Sequence, residues 1–91
     1  MPRVILTTQV QDPVKWEAGF RTHGAIFKSY TVNAPVQYSV VGNEVAILME
    51  VSSVETMQAE MAKPATAEAM AFDGVKRETF KMFVLDKDVK L

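Results

Sequence analysis

Three segments of the chain carry the alternating or clustered apolar residues that are typical of β-strands. They are residues 3–10 (RVILTTQV), 36–41 (VQYSVV) and 45–51 (VAILMEV), and a fourth apolar segment runs from Val75 to about Leu85. Only the tight-turn sequence Gly-Asn-Glu separates the second segment from the third, so we expect these two to form a hairpin. The pattern therefore predicts four strands.

Helical signals fill the interval between the first and second strands. Asp12 suits the N-cap and Pro13 the first position of a helix. We expect this helix to run to at least His23 and, because the apolar spacing continues, on to Tyr30. Gly24 weakens it without ending it. A turn over residues 31–35, with Asn33 near its centre, then leads into the hairpin.

A second helical region lies between the hairpin and the last strand. Ser52 followed by Glu55 has the spacing of a capping box, which predicts a helix start at Ser52. Pro64 interrupts this helix and begins a further segment that ends near Phe72. Asp73 and Gly74 close the segment, since glycine suits the position after a helix.

The order β-α-β-β-α-β predicts the ferredoxin-like α+β fold: one domain, residues 1–91, with a four-stranded antiparallel sheet and both helices on one face. Alternation along the strands makes one sheet face nearly all apolar, and we expect the helices to cover it. The other face is mixed and includes the apolar residues Ile5, Leu48, Phe83 and Leu85. Such a mixture is typical of a homodimer interface, and two sheets packed face to face would form a barrel across the dimer.

Composition supports association and argues against several classes of partner. A chain of 91 residues buries only about 60% of its unfolded surface. It has no cysteine that could add a disulfide, so burial between two copies is the expected remedy. The net charge of −1 comes without a basic stripe, which argues against nucleic acid. The apolar runs are too short for a membrane span or a secretory signal, so we expect a soluble, cytoplasmic protein with no membrane partner.

The only histidine shares a helix face with the only tryptophan. At roughly 100° per residue, a set of residues spaced i, i+4, i+7, i+11 and i+14 falls within about an 80° arc of the first helix. These residues are Trp16, Phe20, His23, Phe27 and Tyr30.

Two interpretations of His23 remain open. In the first it is a core residue, bonded to a backbone carbonyl or to the hydroxyl of Thr8 or Tyr38. In the second, Trp16, Phe20 and Phe27 wall a small-molecule cavity and His23 is its catalytic general base. Tyr38 lies on the same apolar strand face, where it either packs in the core or donates a hydrogen bond to the bound molecule.

The whole chain resembles the dimeric α+β barrel superfamily, which includes antibiotic-biosynthesis-type monooxygenases and muconolactone-isomerase-like and EthD-like proteins. Three features carry the resemblance: the helix with Asp12, Trp16, Phe20 and His23, the hairpin that ends EVAILMEV, and the helix MAKPATAEAM before Gly-Val and the last strand. The resemblance implies a homodimer with a pocket between helices and sheet in each subunit. Several members oxidise or rearrange aromatic compounds without metal or flavin.

The match to the family's active sites is incomplete. Haem-degrading relatives place a tryptophan after the hairpin and a histidine on the second helix, whereas Trp16 and His23 both lie on the first helix. The Tyr, Trp and Arg set of the quinone-forming members is also absent from the sequence. Three functions stay open: a cofactor-independent monooxygenase or isomerase, a non-catalytic ligand-binding or stress-related dimer, and a structural interaction module. We expect no cofactor and no metal, because one histidine and no cysteine make a poor ligand set.

Overall fold

The computed structural model of the chain describes residues 2–28, 30–32 and 35–91, and these contain the elements in the order β-α-α-β-β-α-α-β. The strands are β1 (Arg3–Val10), β2 (Gln37–Val41), β3 (Glu44–Glu50) and β4 (Val75–Val84). The helices are α1 (Pro13–Thr22), α2 (Gly24–Lys28), α3 (Val54–Met61) and α4 (Pro64–Phe72). None of the helices in this part of the chain is both long and apolar enough to cross a membrane.

The strands form one antiparallel sheet in the order β2-β3-β1-β4. Strand β1 lies inside the sheet, with Val4 opposite Met49 of β3 and opposite Val84 of β4. The core lies between the helices and one face of the sheet, to which every second residue of the strands contributes its side chain. Its buried apolar residues are Val4, Leu6, Val10, Trp16, Tyr30, Val45, Ile47, Met49, Val51 and Met57. This arrangement confirms the predicted ferredoxin-like α+β fold.

The first helical region departs from the prediction of one continuous helix. It breaks at His23, whose backbone N–H bonds to the carbonyl of Phe20 at 3.2 Å, three residues back, and a separate short helix begins at Gly24. The low helix propensity of glycine explains why the break falls here. The centre of the predicted turn at residues 33 and 34 lies outside the described residues.

Helix α3 begins one residue later than predicted. Ser53, not Ser52, is the N-cap, and its hydroxyl accepts the N–H of Thr56 at 3.0 Å. Ser52 instead extends the sheet-like pairing beyond β3, where its N–H bonds to the carbonyl of Tyr30 at 2.9 Å. A neighbouring isolated bridge pairs Thr31 with Val51.

The β1–β4 ladder is interrupted by a bulge at Thr8. Gln9 pairs with Lys76 and Thr7 with Lys81, so β4 contributes extra residues between these pairs. The Thr79 hydroxyl replaces the missing backbone partners: it accepts the Gln9 N–H at 2.8 Å and donates to the Lys76 carbonyl at 2.7 Å. One side chain therefore maintains the hydrogen bonding of the bulge.

The second face of the sheet carries an apolar row. Ile5 on β1 lies opposite Leu48 on β3 and opposite Phe83 on β4, so these three residues cross the sheet in register. Phe83 is 50% exposed, and Val41 and Leu85 on the same face are also exposed. The helices therefore leave an apolar surface on this side.

We expect Thr79→Val to lower the free energy of unfolding by about 1–3 kcal/mol, since it leaves the Gln9 N–H without its partner and leaves the Lys76 carbonyl with only the longer bond from Thr8, at 3.3 Å. Thr79→Ser keeps the hydroxyl and is the matched control, which should retain most of the stability. Urea unfolding of the three proteins measures the difference. Equal losses in the two variants would show that the methyl group, not the hydroxyl, stabilises the bulge.

Candidate functional site

A small cavity lies between the sheet and the helices. Its volume is about 60 Å³, enough for a few water molecules but below the roughly 300 Å³ of common ligand pockets. The lining is mostly apolar, with a few polar side chains. Four of the five residues that the sequence predicted for the site line this cavity: Trp16, Phe20, His23 and Phe27.

The aromatic residues form a continuous wall. Trp16 and Phe20 stack with ring centroids 4.7 Å apart, and Phe20 contacts Phe27 at the same centroid distance in a tilted arrangement. The spacing on α1 brings the first pair together, and the turn into α2 keeps Phe27 on the same side in spite of the helix break. The wall offers ring faces and edges to an apolar guest.

Tyr38 does not line the cavity, so the structure differs here from the predicted ligand contact. Its hydroxyl accepts the Nε–H of Arg21 at 3.0 Å and donates to the Glu17 carboxylate at 2.8 Å. Its ring packs edge-on against Trp16 and Phe20. Tyr38 supports the aromatic wall from behind, and its hydrogen bond lowers the pKa of Glu17, with a smaller contribution from Arg21.

His23 contacts a carboxylate, which differs from the backbone carbonyl or hydroxyl partner that the core interpretation predicted. Its Nδ1 lies 3.1 Å from Oδ2 of Asp73, fifty residues further along the chain. The His23 side chain is partly exposed at the end of α1, whereas the Asp73 side chain is buried at the end of α4. The Thr8 hydroxyl, one of the predicted partners, instead lies 3.1 Å from the Thr79 hydroxyl.

Asp73 is the site residue that sequence reasoning missed. The sequence pattern predicts for it only the end of a helix, although it lies within the otherwise apolar stretch Ala-Met-Ala-Phe-Asp-Gly-Val. A carboxylate placed among apolar residues where a helix turns back into a sheet was the available signal, since buried charges need partners. Burial raises the pKa of Asp73, and nearby His23 and Lys15 offset part of that effect.

The second oxygen of Asp73 fits against the backbone of α1. Oδ1 is buried and has no hydrogen-bond partner among the described residues. It lies where a Cβ on Gly19 would be, so only glycine fits at that position of the helix. Gly19 therefore lets the carboxylate approach the helix closely enough to reach His23.

The contact with Asp73 determines which imidazole nitrogen is available for chemistry. When the carboxylate is ionised, Oδ2 accepts the Nδ1–H of neutral His23, and the lone pair of the imidazole is then on Nε2. Nε2 has no hydrogen-bond partner in the described part of the chain. The arrangement can therefore accept a proton at Nε2 and stabilise the resulting imidazolium through Asp73.

A wider groove adjoins the cavity. It has a volume of about 360 Å³, and Met61, Met70 and Phe80 line both spaces and so separate them. Arg77 also lines the groove. Because methionine side chains are flexible, a shift of Met61 or Met70 would join the two spaces.

No group of three or more His, Cys, Asp or Glu side chains that could hold a metal ion lies within the described ranges.

Solved structures share this arrangement of strands and helices. SnoaB, a cofactor-independent oxygenase from Streptomyces nogalater, is 12% identical and superposes with a TM-score of 0.69, covering 99% of this chain and 95% of that chain. An antibiotic biosynthesis monooxygenase is 9% identical with a TM-score of 0.62, covering 98% and 100%. The fold is that of the antibiotic biosynthesis monooxygenases.

A candidate antibiotic biosynthesis monooxygenase from Bordetella bronchiseptica also has this fold, with 12% identity, a TM-score of 0.70 and 97% of each chain covered. The resemblance predicted from the sequence is therefore confirmed at the level of the fold. No protein-family model and no curated protein matches the sequence. Identities this low establish a common fold, so the chemistry has to be argued from the site itself.

We expect Gly19→Ala to displace Asp73 from α1, because the new Cβ would overlap the carboxylate. The free energy of unfolding should fall by about 1–3 kcal/mol, as in other overpacked sites. Gly24→Ala is the matched control: no atom lies within 4 Å of its Cβ position, so stability should hold or rise by up to about 1 kcal/mol. Urea unfolding measures both. Equal stability of the two variants would contradict the close approach of Asp73 to Gly19.

Proposed function

We propose that the protein, a single domain over residues 1–91, is a cytoplasmic homodimer that binds a small apolar or aromatic molecule between the sheet and helices of each subunit. His23 is the general base that acts on this molecule, and Trp16, Phe20 and Phe27 bind it. The reaction is a monooxygenation or an isomerisation that needs no cofactor. The observation that carries the proposal is the His23–Asp73 pair at the wall of an aromatic-lined cavity.

The chemistry begins with a proton transfer. Nε2 of His23 takes a proton from a phenol O–H, or from a C–H made acidic by a neighbouring carbonyl, and the negative charge stays on the substrate. Asp73 is a positioning residue that holds the ring and stabilises the imidazolium. In an isomerisation the proton returns to another carbon. In a monooxygenation O2 is the oxidant: a CH2 group becomes C=O, and the second oxygen atom leaves as water.

The size of the cavity sets a condition on this proposal. A space of about 60 Å³ is too small for an aromatic ring, since an engineered cavity of about 150 Å³ is known to hold benzene. Movement of Met61 and Met70 towards the adjoining groove supplies the extra room. The second candidate is a dimer that binds ligands without turnover, in which the His23–Asp73 pair serves only to join α1 to the end of α4. The small volume by itself favours neither ligand-binding function over the structural interaction module.

The apolar row on the second sheet face supports the dimer. Ile5, Leu48 and Phe83 are aligned across three strands and lie on the face opposite the helices. Burial of such a surface against a second copy is the usual way in which a small domain completes its core. Two sheets packed in this way give the barrel that the sequence resemblance implied.

We expect Phe83→Glu to raise the dissociation constant of the dimer by roughly a hundredfold or more, because it places an unpaired charge in the contact. Val14→Glu is the matched control: Val14 is 80% exposed on the first turn of α1, where an acidic residue is compatible with the helix. Sedimentation over a range of concentrations measures both. A monomeric wild type, or equal dimerisation of both variants, would rule out this sheet face as the interface.

Proton abstraction can be measured without knowledge of the natural substrate. The ketone 2-tetralone has an aromatic ring beside an acidic C–H, and its exchange with D2O is followed by proton NMR. We expect His23→Gln to slow enzyme-catalysed exchange by roughly 10²–10⁴-fold, because the amide is not a base. Lys63→Gln, a change in an exposed ion pair on the loop before α4, should leave the exchange rate unchanged.

The wild-type protein separates the two candidate functions. Binding of 2-tetralone with exchange above the buffer rate supports catalysis, and loss of that exchange in His23→Gln identifies His23 as the base. Binding without any enhancement of exchange supports the non-catalytic dimer and rejects His23 as a base. Exchange that persists in His23→Gln would assign the proton transfer to another group.

A further inference from the structure

Some of the hydroxyl groups on residues that line the cavity have hydrogen-bond partners in the described part of the chain and one does not. The Thr8 hydroxyl is bonded within the sheet, and the Thr66 hydroxyl donates to the Glu60 carbonyl at 2.8 Å. Tyr30, which also lines the cavity, is only 1% exposed. Its hydroxyl is buried and has no hydrogen-bond partner among the described residues. A buried hydroxyl without a partner costs free energy, so such groups are rare unless something binds them.

The backbone and the ring of Tyr30 are both held in place. Its N–H bonds to the carbonyl of Phe27 at 3.2 Å, and its own carbonyl accepts the N–H of Ser52 at 2.9 Å. The ring packs edge-on against Phe27, one of the residues of the aromatic wall. The hydroxyl therefore has little freedom to swing out to solvent.

The same surroundings keep the hydroxyl protonated. Burial raises the pKa of Tyr30 to about 12, and the negative charge of Glu60 adds to the shift. Tyr30 is thus a neutral hydrogen-bond donor at any pH near neutrality. Asp73 Oδ1 is the other buried side-chain atom without a partner in the described ranges, and it is an acceptor that packs against Gly19. Tyr30 therefore supplies the unpartnered donor.

We infer that Tyr30 donates a hydrogen bond to an oxygen atom of the bound molecule, so that the site selects phenols and aryl ketones over hydrocarbons of the same shape. This inference rests on the proposed function and specifies its substrate class. Proton transfer to His23 leaves negative charge on the substrate oxygen, as phenolate or enolate. A preorganised donor at that oxygen stabilises the charge as it develops.

A matched pair of probes isolates this hydrogen bond. Acetophenone and α-methylstyrene have nearly the same shape, but only the ketone has an oxygen acceptor. Affinities of both probes for the wild type and for Tyr30→Phe, measured by NMR titration, form a thermodynamic cycle in which other differences cancel. We expect the preference for acetophenone to fall by roughly three- to tenfold in Tyr30→Phe, while the affinity for α-methylstyrene changes little.

The wild type alone gives a second test, which stands even if Tyr30→Phe fails to fold. The carbonyl stretching frequency of bound acetophenone should be lower than its value in a hydrocarbon solvent. An unchanged preference in the cycle, or an unshifted carbonyl band, would overturn the role of Tyr30 while the binding site itself stands. Failure of both probes to bind would instead overturn the proposed function, and the inference with it.

Discussion

The contact between His23 and Asp73 is the interaction on which the arrangement of the site depends. It joins the end of α1 to the end of α4, two points that are fifty residues apart in the chain. A carboxylate at this depth needs a partner, and the imidazole supplies one from a position that is still partly open to solvent. The helix break at His23 and the glycine at position 19 are both consistent with this one pairing, and so is an Nε2 that has no partner among the residues the structure describes.

The sheet serves two purposes because its strands alternate. Residues that point towards the helices form the core and the cavity floor, and their neighbours form the apolar row of Ile5, Leu48 and Phe83. The bulge at Thr8 shifts the β1–β4 register beside the cavity, which Thr8 lines. A single set of strands thus positions the site on one side and presents an association surface on the other.

Apolar patterning together with proline, glycine and cap residues was sufficient to predict the fold, including the whole of β1 and the segment from Pro64 to Phe72. The same periodicity placed Trp16, Phe20, His23 and Phe27 at one cavity, because it reports which face of a helix points inwards. Asp73 and Tyr38 show its limit. Their roles depend on which distant side chain each one meets, Asp73 with His23 and Tyr38 with Arg21, and pairings across the fold leave no local pattern in the chain.

The fit of Asp73 against Gly19 also limits how this sequence can diverge. Any side chain at position 19 would compete for the volume that the carboxylate fills, so neither residue can be replaced freely while the other is retained. A descendant that loses the acid would gain space for alanine in the helix and would no longer hold the imidazole in place. The two positions should therefore drift as a linked pair, and a chain that keeps only one of them will have abandoned the arrangement.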